Sequence, residues 1–414
     1  MPGSAVEVST PTEGSSRWLV VGLLTIGVIV AYTSRINLSA AIPEIRKSIP
    51  LSPAAIGVLL SAFFWAYTLV QTPAGWIVDR FGIRWPYAAA LLLWSALTAA
   101  TALVSSLRGL ILVRVLLGVG EAFVTPASMG YIRKHFPEHQ RGLPVGIFMS
   151  GTKYGPAIGA PLTTYLVLDY GWRSMFVISG VVSLLWLIPW FLLVRDEISS
   201  PNGKNAGKGV VSWVALLRTP VMWGTCIGTF CYMYFVYFCM TWMPTFFNER
   251  YGLSLTASGW FTFMSFGGMA TVAILGGWAA DRLISRGYNP VTVRRYFTIA
   301  GFVLGCSEIF GAFSGAGSMA LFWVVFSLCG LGLATANYWA LTQSLTPGNA
   351  AGRVAGIQNT AANVAGVAAA WFTGILVEKT KHFDAPLMAI GFWLVIGICC
   401  YSFLVREKYA LREA

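Results

Sequence analysis

Five ionisable side chains stand inside runs that are otherwise apolar: Arg35, Arg114, Glu121, Lys153 and Glu308. A charge at the centre of a membrane helix costs about 2.5–3.5 kcal/mol on insertion scales, so such groups persist where they pair, face water or bind something. A guanidinium holds carboxylate or sulfonate through two parallel hydrogen bonds, and a carboxyl group can carry a proton. Arg114 and Glu121 are seven residues apart, on one helical face about two turns from each other. Gly118 and Gly120 between them leave space for a neighbouring helix or a ligand. The pattern reads as a cationic cavity for an organic anion. Arg35 binds the anionic group, Glu121 carries a coupling proton, and Arg114 links the two events. The plainer alternative has Arg114 and Glu121 neutralising each other to hold helices together. Glu308 reads as an interhelical hydrogen bond.

The elements that position these groups are membrane helices. Of 414 residues, 56% are hydrophobic, 14% aromatic and only 11% charged, against about 25% charged in soluble domains; the mean hydropathy is +0.68. Twelve spans of roughly 20 residues leave no room for a large catalytic domain. That excludes a soluble enzyme of ordinary type and a nucleic-acid-binding module. The expected spans are Trp18–Ala41, Ala55–Val78, Pro86–Ser105, Leu107–Ile132, Leu143–Leu168 and Ser174–Val194 in the first half. The second half has Val221–Phe247, Gly259–Ala280, Tyr296–Ser314, Met319–Leu345, Val354–Val377 and Pro386–Val405. The expected architecture is all-α, twelve transmembrane helices in two pseudo-symmetric six-helix bundles around a central cavity. Residues 18–194 and 220–405 form the bundles. Residues 1–17 are a disordered cytoplasmic tail, 195–219 a cytoplasmic linker and 406–414 a second tail.

With the N-terminus inside, 18 Lys and Arg fall on cytoplasmic loops and 7 on outer ones, which puts both termini in the cytoplasm of a multi-pass plasma (inner) membrane protein. The net charge of +12 follows from this topology and calls for no nucleic acid. The expected partners are a small anionic substrate, protons and the lipid bilayer, with the chain acting as a monomer. The seven cysteines have no metal spacing and read as buried thiols. His135, His139 and His382 fall in expected loops, so no metal or haem site forms at membrane depth and no cofactor is expected.

The halves look duplicated. Gly75-Trp76-Ile77-Val78-Asp79-Arg80, followed by Gly82 and Arg84, recurs as Gly277-Trp278-Ala279-Ala280-Asp281-Arg282, with the aspartates 202 residues apart. Arg141 with Gly146-Ile147 matches Arg353 with Gly356-Ile357. A tandem six-span repeat is a transporter signature. The Asp79-Arg80-Arg84 and Asp281-Arg282 loops read as conformational latches that bond helix ends in one access state and release them in the other.

At this point the chain resembles the major facilitator superfamily, through the residue 75–84 string and its weaker copy. More narrowly it is similar to the anion:cation symporter branch. The matching strings are Tyr32-x-x-Arg35-x-Asn37-Leu38, Ser61-Ala62-Phe63-Phe64-Trp65-x-Tyr67 with Gln71, Arg114-x-x-x-Gly118-x-Gly120-Glu121-Ala122, Thr241-Trp242-Met243-Pro244-Thr245, and Gly356-Ile357-Gln358-Asn359 with Asn363. The resemblance implies transport of sugar acids and related organic anions, with Arg35, Arg114 and Glu121 at the functional centre. Two departures matter. Many bacterial members have an aspartate where Ser34 stands, so a second proton-carrying carboxylate is missing; and Lys153 replaces a residue that is often neutral. Both make the cavity more electropositive and favour a substrate with two negative groups, unless Lys153 instead reaches to the inner interface.

Tyr67 with Gln71 and Asn359 with Asn363 share helical faces, and with Tyr32 they read as hydroxyl and amide contacts to substrate. Tyr234, Tyr237 and Phe238 read as an aromatic wall, and Trp242 with Pro244 as an interface anchor and a kink. Gly142, Gly151, Gly155-Pro156 and Gly159 resemble the superfamily's exchanger-linked motif, with Ala160 in place of its final glycine. The expected function is proton-coupled uptake of a dicarboxylate, a sulfonated carboxylate such as sulfoacetate, or a sugar acid, by alternating access. The alternative is an exchanger or exporter without net proton movement; an intramembrane enzyme lacks its metal ligands, and a channel lacks a symmetric pore.

Overall fold

The computed structural model describes residues 13–137, 140–194, 216, 218–314, 317–346 and 350–410. His139 and most of the expected tails and linker (residues 1–12, 195–215, 217 and 411–414) lie outside the described residues. Among the described residues there is no strand. The helices are α1 (Glu13–Ser48), α2 (Pro53–Phe81), α3 (Arg84–Ala100), α4 (Leu107–Glu121), α5 (Val124–His135), α6 (Gly142–Leu184) and α7 (Leu187–Leu193). They continue as α8 (Pro220–Tyr251), α9 (Leu255–Ser285), α10 (Pro290–Gly305), α11 (Glu308–Phe313), α12 (Ser318–Ser344), α13 (Ala351–Thr380) and α14 (Asp384–Phe403).

Local chemistry sets the ends. Ser52-Pro53 and Asn289-Pro290 open α2 and α10: each polar side chain accepts a backbone N–H three residues on, from Ala55 and Thr292, and each proline occupies a position whose N–H is not needed. Gly252 stops α8 in the left-handed region, at φ 63°.

Among the described residues, ten helical segments are long and apolar enough to cross a membrane. One of them, Gly142–Leu193, has 52 residues, about 78 Å of helix and more than twice a bilayer core. The backbone breaks out of helix at Gly171 (φ 79°, ψ 158°), where the expected fifth and sixth spans meet. Two other expected spans are interrupted. The fourth is α4 followed by α5, parted at Ala122-Phe123; the ninth is α10 followed by α11, parted at Cys306-Ser307. Leu69 (77% exposed), Leu192 (77%) and Phe313 (75%) stand on the outer surface, as lipid-facing side chains do.

Some expectations change. Helix α1 already begins at Glu13, inside the stretch expected as a tail. His135 is the last residue of α5 rather than a loop residue. Trp242 is not an interface anchor: it is buried, and its Nε1 donates to the Ala370 carbonyl at 3.0 Å, tying α8 to α13. All seven cysteines are free, but only Cys231, Cys239 and Cys400 are buried; Cys226, Cys306 and Cys329 are partly exposed and Cys399 is exposed.

Polar contacts define two ends. At one, Arg46 of α1 pairs with Glu249 of α8, and Arg250 of α8 pairs with Asp384 of α14. There Glu378 of α13 accepts from Ser52 Oγ (2.7 Å) and the Ala54 N–H (2.8 Å) at the start of α2. At the other, Asp79 accepts from Arg133 of α5 at 3.0 Å, and Arg17 reaches the His135 carbonyl.

Small residues let the helices meet. On α6, Gly151, Gly155 and Gly159 lie against Val28, Tyr32 and Ile36 of α1, where an added Cβ would come within 2.5, 2.5 and 2.9 Å of them. On α4, a Cβ at Gly118 would stand 2.3 Å from the Phe63 carbonyl oxygen and 3.0 Å from the Tyr67 nitrogen of α2. Those are backbone atoms and cannot swing aside. Gly118→Val is therefore expected to push α2 from α4 and to cost about 1–3 kcal/mol, the usual scale of overpacking. Thermal unfolding in detergent reads this as a lowered midpoint; an unchanged midpoint would refute the close α2–α4 approach.

Candidate functional site

Helices α1, α2 and α4 converge on Arg35. Its side chain is buried and leans toward the start of α1, as helical side chains do. Nε donates to Glu121 Oε2 at 2.7 Å. The guanidinium carbon lies 4.2 Å from the Tyr32 ring centre, 4.6 Å from Tyr67 and 4.7 Å from Phe63. Tyr32 stands one turn before Arg35 on α1, while Phe63 and Tyr67 are one turn apart on α2 and stacked on each other. Ring faces and carboxylate together hold the cation in place. Its Nη1 is buried yet has no hydrogen-bond partner among the described residues, an arrangement that ordinarily costs about 1–3 kcal/mol.

Arg114 is buried on the same side, and its Nη2 donates to the Arg35 carbonyl oxygen at 3.4 Å. The ion pair at this centre is thus Arg35–Glu121, between helices, and not Arg114–Glu121 along α4. Two turns of α4 separate the latter pair by about 10 Å of axial rise, whereas the Arg35 side chain starts level with Arg114 and extends toward Glu121. Arg35 and Arg114 line one small hollow with Leu60, Phe63 and Phe64 of α2 and Met240 and Thr241 of α8. Its volume is about 10 Å³, room for roughly one water molecule.

Lys153 of α6 is buried, with Nζ 5.8 Å from the Tyr232 ring of α8 and no carboxylate partner among the described residues. It stands eleven residues into its helix, against the second half of the chain and not at a helix end. Arg35, Arg114 and Glu121 give this centre one net positive charge, and Lys153 stands apart from it against Tyr232.

The polar residues of α2 and α13 meet one another. Gln71 Oε1 accepts from Asn359 Nδ2 (2.6 Å) and Asn363 Nδ2 (3.1 Å). Tyr237 packs edge-on to Phe64, ring centres 4.6 Å apart, so α8 reaches α2 here. Tyr234 and Phe238 turn elsewhere, toward Trp393 and Phe246, and no three-residue wall forms. Asp79 and Asp281 lie near the ends of helices α2 and α9 rather than in loops, and find partners that sequence reasoning did not name: Asp79 takes Arg133, and Asp281 takes Arg294 of α10 at 2.9 Å. Arg80 lies over Trp76 and Phe81, Arg282 over Trp278, and Arg84 donates to the Phe191 carbonyl. Phe63 was the other omission; its place four residues before Tyr67, on the same helical face, was the available signal.

Comparison with known proteins gives four findings. Residues 24–370 match the Major Facilitator Superfamily. A probable L-galactonate transporter of Escherichia coli is 28% identical over 432 residues, covering 98% of this chain and 95% of the relative. A probable sulfoacetate transporter of Cupriavidus necator is 29% identical over 408 residues, covering 94% of each. In fold, the chain is similar to a bacterial homologue of the human lysosomal transporter Spinster, solved inward-facing and unoccupied, with a TM-score of 0.80 at 18% identity over 98% of this chain and all of that one.

Proposed function

Because the chain belongs to the Major Facilitator Superfamily, and is a multi-pass membrane transporter rather than an enzyme, we propose that it takes up a small organic anion with protons by alternating access. In this reading twelve helices cross the inner membrane, with both termini cytoplasmic. Helix α6 contributes two crossings around Gly171, and α10 with α11 make the ninth. Residues 18–194 and 220–405 form two bundles that rock about the site between them.

One observation carries the reading: buried Arg35 spends one nitrogen on Glu121 and keeps another without a partner, beside a hollow it shares with Arg114. Glu121 and a substrate carboxylate or sulfonate compete for the same guanidinium. When a proton adds to the Glu121 carboxylate, the acid loosens its hold, and the substrate's anionic group takes the planar fork with two hydrogen bonds. When the proton leaves on the other side, the re-formed carboxylate displaces the substrate. Substrate and proton thus travel together. Arg114 holds Arg35 from behind, and Asp79 and Asp281 latch and release helix ends.

In this reading Lys153 joins Arg35, Arg114 and Glu121 when the site opens, and the resulting net of two positive charges favours an acid with two negative groups. Relatives named for galactonate and sulfoacetate bracket the choice between a sugar acid and a sulfonated carboxylate. Pockets for small organic molecules run about 300–1,000 Å³, so binding requires α8 to draw away from α1 and α2. That movement parts Phe64 from Tyr237 and brings Gln71, Asn359 and Asn363 within reach of substrate hydroxyl or carboxyl groups.

In proteoliposomes, an inward acid gradient alone should drive uptake of the substrate above its outside concentration. Counterflow without such accumulation would make the protein an exchanger. The substrate class is read by thermal shift of the purified protein against mono- and dianionic acids. A ligand at 100 times its Kd stabilises by about 2.7 kcal/mol. Dianions should raise the midpoint more than monoanions of equal concentration; the reverse order would remove Lys153 from the site.

A further inference from the structure

Glu308 has no part in the reading above. It is the first residue of α11, directly after the interruption of the ninth span, and its side chain is 1% exposed. Oε2 accepts from Ser327 Oγ of α12 at 2.6 Å, while Oε1 is buried with no hydrogen-bond partner. Gly391 of α14 lies against Ile309, and Gly311 against the α12 backbone, so α11 is wedged between those two helices.

The charged and titratable groups in electrostatic reach all lie on α8: Cys239, Arg250 and Tyr251. α12 offers only the Ser327 hydroxyl. From α14, Asp384 faces this region through its ion pair with Arg250. Among the described residues no cation forms an ion pair with Glu308.

An isolated carboxylate is not sustained in apolar surroundings, whereas the neutral acid is. A glutamine would make the same bond to Ser327, but glutamate alone can give up a proton. Among the described residues the one cation to which an ionised Glu308 can turn is Arg250, which here holds Asp384 at the rim. We infer that Glu308 is a second proton-binding site, which holds its proton while the Arg250–Asp384 pair is closed and exchanges it with water when that pair opens. The proton adds to Oε1 from hydronium and returns to water from the same oxygen, Arg250 compensating the carboxylate left behind. This deepens the proposed symport and rests on it for its place in the cycle: a site in each half lets two protons accompany a dianion.

The test has two arms, on full-length protein in liposomes. Infrared difference spectra between acidic and alkaline buffer should show a protonated-carboxyl C=O band that E308Q removes and E308D restores, with the Glu121 band kept in both. A spectrum that E308Q leaves unchanged overturns the inference, because the carboxyl then never exchanges its proton. In the second arm, liposomes loaded with a pH dye receive sulfoacetate, and E308Q should carry one proton fewer per molecule than wild type. An equal ratio also overturns the inference. A band lost in E308Q from a protein that moves neither sulfoacetate nor protons leaves the Glu308 site standing and removes the proposed function instead.

Discussion

Arg35→Lys should weaken substrate binding by about two orders of magnitude, although it keeps the charge. In the proposed reading the guanidinium has three tasks at once: Nε holds Glu121, its plane lies among the Tyr32, Phe63 and Tyr67 rings, and Nη1, buried without a hydrogen-bond partner among the described residues, is left for the ligand. An ammonium is a point charge with no planar fork, so it cannot serve Glu121 and a carboxylate in one geometry. A hydrogen bond involving a charged group is worth about 1.5–3 kcal/mol. Losing one at the upper end of that range gives the stated change in Kd. Calorimetric titration with the acid that gives the largest thermal shift measures it. Counterflow, which needs substrate binding on both faces, should vanish at ordinary substrate concentrations. A Kd within a few-fold of wild type would remove Arg35 from the site.

Much of this site was legible before any coordinates, because a charge inside an apolar run is costly enough to declare itself. Arg35, Arg114, Glu121 and Lys153 stood out on that ground alone, and all four are buried. Their pairing was not legible. Spacing along α4 put Arg114 and Glu121 on one face, but the length of the Arg35 side chain and its lean toward the start of α1 decide who meets Glu121. That the chain is a series of long apolar helices was similarly readable from hydropathy, while the interruptions at Ala122-Phe123 and Cys306-Ser307 were not, since none of those four residues is a glycine or a proline. Trp242 shows the same limit. An aromatic near a helix end satisfies an interface or a core, and only the Ala370 carbonyl above its Nε1 chooses between them. Gln71, Asn359 and Asn363 were each visible as polar residues on helical faces; that they satisfy one another across α2 and α13 depends on how those helices are set together.

Glu121→Gln should separate binding from coupling. The amide oxygen can still accept from Arg35 Nε, so the geometry of α1 against α4 is kept, but the side chain is locked in the equivalent of the protonated state. Substrate then no longer competes with a carboxylate. Wild-type binding should weaken as pH rises and Glu121 ionises, because the re-formed carboxylate reclaims Arg35; binding to E121Q should be flat over the same range and tighter than wild type at its alkaline end. The larger effect is on accumulation. Each coupled proton turns a one-unit pH gradient into about 1.4 kcal/mol, roughly tenfold in the inside-to-outside ratio for a step that moves no net charge. Without the Glu121 proton that factor of ten is lost, while counterflow, in which the loaded protein crosses in both directions and no proton need leave, persists. Paired assays in one proteoliposome preparation, gradient-driven uptake beside counterflow, separate the outcomes. If E121Q still concentrates substrate at the wild-type ratio, the proton is carried by another group and the competition between Glu121 and the anion for Arg35 is not the coupling step. If counterflow disappears as well, Glu121 is needed to build the binding site, and its pairing with Arg35 is structural.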